Sequence, residues 1–404
     1  MNRITIDLHA LKENLEVISK QMDRHGASWS IATKAVCGHL DTVCALHAMG
    51  VRSIADSRLD NLRAINEVLP DLERWYLRLP HLTVVEDVVR LADISLNSEI
   101  EVIRALSKAA VKYDRLHRIV IMIELGDLRE GILPGTLLRF YNRVFKLPGI
   151  EVVGVGAQVG CLSGAIPNID QMSQLLLYRE LLELKFQRKL PLVSAGSSIL
   201  LSLLRDQSVS RGINHFRIGE ALFLGTDLVT GGTLHGLRAD VVTVEGEIAE
   251  IKEKNLVASG ETGGQTPFEM VKETPGEKVP EPGQRGYRAL LTIGQIDTDV
   301  AALVPLNDNY QVAGASSDIT VVNLGENPEG LKVGDSIYFR PGYSAFVRLM
   351  NDPYIPKAVT PDLETFRHEL SGENWDVEVP ASLEEAERES EGKTRSGRGT
   401  HLGA

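Results

Sequence analysis

From Ser28 onward the chain alternates between two spacings of apolar residues. Short β-branched and apolar runs fall at Trp29–Ala35, Ser53–Asp56, Trp75–Leu79 and Ile94–Asn97. Four more follow at Arg118–Leu125, Glu151–Gln158, Pro191–Ala195 and His215–Ile218. Between them, at Asp41–Met49, Arg58–Val68, Glu99–Ala110 and Gln171–Lys189, apolar residues recur three and four positions apart. The first pattern belongs to buried strands and the second to helices that bury one face. Strands alternating with helices predict a parallel sheet with right-handed crossovers. Eight strands in about 190 residues point to a closed (β/α)8 TIM-type barrel, with a doubly wound open sheet as the competing arrangement.

The flanks read differently. Met1–Ile6 is strand-like, and Asp7 is placed to cap a helix with Leu8, Leu11, Leu15 and Ile18 on one face. After about Gly225 helices give way to alternating runs at Ala239–Ile251, Tyr287–Ile296, Asp318–Leu324 and Asp335–Phe339, the pattern of an antiparallel β domain. Gly260–Gly286, with several Gly, Pro and Glu and few large apolar residues, is expected to be a long exposed loop. From about Pro361 the chain turns polar, and five of the eight residues Glu384–Glu391 are Glu. Such a tail lacks the apolar surface to order itself. The expected division is therefore a barrel at 1–225, a β domain at 226–360 and a disordered tail at 361–404.

Composition narrows the possibilities. The 404 residues suit two domains, each with its own core. A net charge of −12 argues against nucleic acid or an anionic membrane as partner. No signal peptide precedes the first strand pattern, and no apolar run reaches membrane-spanning length. Cys37, Cys44 and Cys161 are few and odd in number, which fits free thiols in a reducing cytoplasm. His39, Cys44 and His47 lack the spacing of a metal site.

In a (β/α)8 barrel the chemistry sits at the C-terminal strand ends, with phosphate often held after strands seven and eight. Strand one leads through Ser30-Ile31-Ala32-Thr33 to Lys34, a candidate Schiff-base amine. Strand two ends at Asp56-Ser57-Arg58, strand five at Glu124 with Arg129 beyond it, and strand six at Gln158. Strand seven runs into Ser194-Ala195-Gly196-Ser197-Ser198, whose hydroxyls before a helix suit an anion. Strand eight gives Arg217-Ile218-Gly219-Glu220. An inward Arg217 needs an acceptor or a carboxylate, and Glu220 or Glu124 would supply an ordinary ion pair. Gly154-Val155-Gly156-Ala157-Gln158-Val159-Gly160 approaches a dinucleotide fingerprint, but its last spacing is one residue too long, so it reads as a tight barrel strand end.

Taken together, these motifs resemble the alanine racemase family. Thr33-Lys34-Ala35 followed by Gly38-His39 resembles its cofactor lysine motif, and Glu124–Gly131 its strand-five motif. Ser194–Ser198 stands where the family has a phosphate-binding Ser, and His215-Phe216-Arg217-Ile218-Gly219 resembles its Arg-Pro-Gly motif. The short Thr33–Gly38 form, Ala55-Asp56-Ser57-Arg58 and Gly314-Ala315-Ser316-Ser317-Asp318 look most like the ornithine racemase branch. The resemblance spans about residues 3–357. It implies an isomerase that interconverts L- and D-amino acids with pyridoxal phosphate carried on Lys34. It also implies cofactor contacts from Arg129, Ser194, Ser197, Ser198, Arg217, Gly219 and Tyr343, and a homodimer whose β domain completes the site. One family feature is missing. The second base is a Tyr in a Gly-Tyr-x-Asp motif, and the corresponding stretch here is Gly294-Gln295-Ile296-Asp297. Gln295 cannot exchange a proton, so Asp297 is the candidate, with Asp318 as the alternative. The acidic groups Glu124, Asp297 and Asp318 would suit ornithine or lysine; alanine and serine stay open. A D-amino-acid aldolase or decarboxylase, a non-catalytic cofactor-binding protein, and a sugar-phosphate aldolase that uses Lys34 directly are the competing readings.

Overall fold

The computed structural model describes residues 1–160, 164–205, 208–257, 281 and 283–372. Strand β1 (Arg3–Asp7) leads into the helix Leu8–His25. Eight parallel strands follow: β2 (Ser28–Ala32), β3 (Ser53–Asp56), β4 (Glu73–Tyr76), β5 (Ile94–Asn97), β6 (His117–Met122), β7 (Ile150–Gly156), β8 (Leu192–Ser197) and β9 (His215–Ile218). Each pairs with the next, and β9 returns to β2 from Ser28↔His215 to Ile31↔Ile218, closing the barrel. The (β/α)8 architecture expected from the hydrophobic rhythm is present.

The barrel strands are buried throughout because helices cover them outside and side chains fill them inside. Ala55, Trp75, Leu96, Val120, Met122 and Leu192 form one contiguous apolar cluster. Small residues let neighbouring strands close up. A Cβ on Gly154 would lie 2.2 Å from the Leu192 carbonyl oxygen, and one on Gly196 would lie 2.0 Å from the Phe216 ring. The Gly154–Gly160 stretch is therefore a strand end packed against its neighbour.

The second sheet is built from β10 (Val242–Asn255), β11 (Arg285–Leu291), β12 (Leu303–Pro305), β13 (Gln311–Ala315), β14 (Thr320–Asn323), β15 (Ser336–Pro341) and β16 (Lys357–Thr360). Its main path runs β12-β15-β10-β11-β14-β13 and is antiparallel throughout. Strand β1 belongs to this sheet and not to the barrel. It pairs antiparallel with β10 (Arg3↔Glu245 to Ile6↔Val242) and parallel with β16 (Ile4↔Lys357 to Asp7↔Thr360).

Two compact units result. One holds Met1–Leu11, Ala35–Cys37 and Arg238–Thr365; the other holds Lys12–Lys34, Gly38–Leu237 and the chain from Phe366 on. The expected polar tail is ordered at its start, where Leu363–Gly372 forms a helix that buries Phe366 and Leu370. The remainder of that tail, Cys161 and most of the expected Gly260–Gly286 loop lie outside the described residues. No helix among the described residues is long and apolar enough to cross a membrane.

Candidate active site

The strand expected to run to Ala35 stops at Ala32, and Thr33–Val36 forms a 3-10 turn carrying Lys34. Lys34 is exposed rather than buried, while Thr33 beside it is fully buried. Thr33 turns the chain because its hydroxyl has a better partner than a strand ladder. Its Oγ1 donates to Asp56 Oδ2 at 2.9 Å. Asp56, at the end of β3, is 0% exposed and accepts two further bonds on Oδ1, from Arg58 N at 2.9 Å and Asn61 Nδ2 at 3.0 Å. Burial pushes its carboxyl above the ordinary value, against the pull of those donors. Beyond the turn, Gly38 has φ +64°, and a Cβ there would meet Asn61 Cβ at 2.7 Å. The Lys34 turn is thus pinned from β3 and from the helix Leu59–Val68.

Arg217 points inward and is 7% exposed. Its acceptors include neutral oxygens: Nη1 donates to the Ser194 carbonyl at 2.7 Å and to Ser194 Oγ at 2.5 Å. Nη2 donates to the Ala157 carbonyl and to Gln158 Oε1, each at 3.2 Å. Glu124, one of its expected partners, is committed to its own loop. Its carboxylate accepts from the backbone N–H groups of Gly126, Leu128 and Arg129. That loop is tied to the helix Ile169–Phe186 by Gln171, whose Nε2 donates to the Leu125 carbonyl at 2.7 Å. Arg129 rises from this loop exposed, its guanidinium paired with the Glu130 carboxylate.

Ser194 differs from its neighbours in the serine run. It is fully buried, and its Oγ faces Arg217 and His215, so it supports Arg217 from within the barrel. Ser197 and Ser198 lie higher, where β8 hands over to the helix Leu200–Arg205. Ser198 Oγ accepts from Ala221 N at 3.2 Å and so joins this corner to the one after β9. Gly219 is needed there, since a Cβ would stand 2.9 Å from Ala32 Cβ, at the end of the strand that leads to Lys34. An amine, two hydroxyls, a fixed guanidinium and a glycine corner at neighbouring strand ends fit an anionic aromatic aldehyde.

The remaining candidates lie in the unit that holds Arg238–Thr365. Tyr343 opens the helix Tyr343–Asn351 directly after Gly342 and is half-buried. Asp297 and Asp318 are brought together by backbone pairing. Gln295 N and Ile296 N donate to the carbonyls of Ser316 and Ser317, and a Cβ on Gly294 would lie 2.4 Å from Asp318 Cα. Asp297 Oδ2 accepts from Gly294 N at 2.8 Å. Burial raises its pKa, and the Asp352 and Asp318 carboxylates raise it further. Sequence reasoning did not single out Asp352 or Glu73, and named His215 only within the Arg217 motif, because they contact residues distant in the chain.

The sequence model for the N-terminal domain of alanine racemase matches residues 6–227. The chain belongs to the alanine racemase family. It is 36% identical over 360 residues to an ornithine racemase of Acetoanaerobium sticklandii, covering 88% of this chain and 98% of the relative. It is 28% identical over 363 residues to a lysine racemase of Thermotoga maritima, covering 89% and 99%. Its fold is that of the alanine racemase from Bartonella henselae with covalently bound pyridoxal phosphate. That likeness has a TM-score of 0.65 at 16% identity and covers 89% of this chain and 99% of the solved one.

Proposed function

We propose that this protein is a pyridoxal-phosphate-dependent racemase of basic amino acids such as ornithine and lysine. The observation that carries the reading is the pairing of β2 with β9, which sets the pinned Lys34 turn and the inward Arg217 on adjacent strands of one barrel mouth. Family membership and the likeness to ornithine and lysine racemases support the same reading.

When bound, the cofactor supplies an electron sink that stabilises negative charge at the amino-acid Cα. The chain's own residues supply anchorage and proton transfer. Lys34 would hold the cofactor, and its amine would move a proton at one face of Cα. Arg217 would face the ring nitrogen and keep its own proton, because a guanidinium stays charged at any working pH. Ser197, Ser198, Gly219 and Tyr343 bind the phosphate, with Ser194 behind Arg217. Arg129 orients the substrate carboxylate or the phenolic oxygen. Asp297 serves as acid and base on the other face, with Asp318 as the alternative. Its raised pKa brings it closer to a working pH than an ordinary Asp. The acidic pair Asp297 and Asp318 favours a basic side chain. We place the enzyme in the cytoplasm as a homodimer whose 226–360 segment completes the partner's site.

Incubation with single L-amino acids followed by chiral chromatography tests the reading. D-ornithine or D-lysine should accumulate until the two isomers are equal. Release of CO2 would mark a decarboxylase instead, and no D-isomer from any substrate would overturn the proposal.

A further inference from the structure

A line of polar side chains runs down the inside of the barrel from Arg217, where apolar residues would be expected to fill the space. Ser194 Oγ lies 2.8 Å from His215 Nδ1, and His215 Nε2 lies 3.1 Å from Ser30 Oγ. Ser30 Oγ lies 2.8 Å from Ser53 Oγ, whose hydroxyl donates to Glu73 Oε2 at 3.0 Å. Glu73 opens β4, so the line ends at the floor of the barrel. Every member is at least nine-tenths buried. Each is also held by register: Ser194 pairs with His215, Ser30 with Arg217 and Ser53 with Glu73.

The Glu73 end fixes the direction of the protons up to His215, and a neutral His215 ring fixes the one beyond it. A guanidinium only donates, so Ser194 Oγ accepts from Arg217 and keeps its own proton available for His215 Nδ1. At the other end Glu73 Oε2 accepts from Ser53 and from Trp75 Nε1 at 2.9 Å, while Oε1 faces Arg118 at 3.3 Å. Ser53 has then spent its proton and must accept from Ser30, which in turn must accept from His215 Nε2–H. The Glu73 end therefore puts a proton on His215 Nε2, and in a neutral ring Nδ1 is then the acceptor for the Ser194 hydroxyl. Burial and the nearby Arg217 charge hold that ring neutral, and Trp75 stacks on it at 4.2 Å with the planes 10° apart. Chains polarised in one sense strengthen each link.

We propose that Glu73 is a remote positioning residue that, through Ser53, Ser30, His215 and Ser194, directs the Ser194 proton toward His215 and away from Arg217. The catalytic consequence rests on the racemase reading above, in which Arg217 faces the cofactor ring; the chain itself does not. With Ser194 locked as acceptor, the guanidinium is held in one plane and cannot turn aside when a ligand enters the mouth.

The test begins on cofactor-free protein labelled at the histidine ring nitrogens. The His215 resonance is assigned by its absence in His215→Gln and independently by its shift in Trp75→Phe. It should show a neutral ring protonated at Nε2 throughout the pH range in which free histidine titrates. Glu73→Gln keeps an acceptor for Ser53 and should preserve that tautomer, with kcat changed less than about threefold. Glu73→Leu removes the acceptor. It should let the Nδ1–H form appear and lower kcat about tenfold, with KM little changed. A merely structural Glu73 would lower the melting temperature of both variants and leave the tautomer alone. A charged or Nδ1-protonated His215 in an active racemase overturns the chain alone, as does a Glu73→Leu protein with wild-type tautomer and kcat. A protein that racemises nothing overturns the reading and the role given to Arg217, whatever the tautomer.

Discussion

Replacing Asp56 offers the sharpest test of how the Lys34 turn is held. Its carboxylate is fully buried and accepts three bonds, from Thr33 Oγ1, Arg58 N and Asn61 Nδ2. Asp56→Ala leaves these three donors without their acceptor, and at about 1 kcal/mol each the loss is about 3 kcal/mol. Asp56→Asn keeps an acceptor for Arg58 N and Asn61, and the Thr33 hydroxyl can reverse to accept from the new amide. It should cost under about 1 kcal/mol at neutral pH. The pH dependence gives a second handle. The Asp56 carboxyl is raised above 3.8 by burial, so folding favours its protonated form. Its contribution is complete below the unfolded pKa and is lost as pH rises through the folded one. The Asn variant has no such loss and should gain on the wild type as pH rises through that window. Urea unfolding followed by tryptophan fluorescence reads the barrel, since Trp29 and Trp75 are both in its core. An Ala variant as stable as the Asn variant, or an Asn-to-wild-type difference independent of pH, would refute the reasoning.

Three further outcomes follow from the same geometry. Lys34→Ala should fold like the wild type by circular dichroism and lose about a thousandfold or more of racemisation rate in a chiral assay. Gly38→Ala must adopt φ +64° and displace Asn61 from a 2.7 Å contact. It should destabilise the barrel by about 1–3 kcal/mol in chemical unfolding. Asp297→Asn should lower kcat about a hundredfold or more in both directions. In the wild type, for the direction in which Asp297 is proposed to take the proton, its limb of the pH–rate profile should rise through a pKa above that of ordinary Asp.

The barrel was legible because strands buried on both faces read as continuous apolar runs: three of the eight expected segments, Ser53–Asp56, Ile94–Asn97 and His215–Ile218, coincide with observed strands, and the other five differ at their ends. The overrun at Lys34 came from Thr33, whose bond to Asp56 competes with the strand ladder and depends on a residue 23 positions away. Strand β1 was legible as a strand but not as a member of the second sheet, since its partners lie near Thr243 and Ala358. Gln311–Ala315 was missed because all five residues are half-buried and show no alternation. The helix Leu363–Gly372 hides in a polar stretch with only Phe366 and Leu370 to bury. At the site, residue types marked Lys34, Arg217 and the serine run. The division of labour within that run was not legible, because it depends on which strand positions face inward, and so did the line from His215 to Glu73.

The central claim is that Lys34 carries pyridoxal phosphate, and one measurement addresses it directly. Protein incubated with the cofactor is reduced with borohydride, digested and examined by peptide mass spectrometry. A pyridoxyl group on the peptide containing Lys34, and on no other lysine, is the expected result. An adduct at another lysine would contradict the site, and the absence of any adduct would contradict the cofactor.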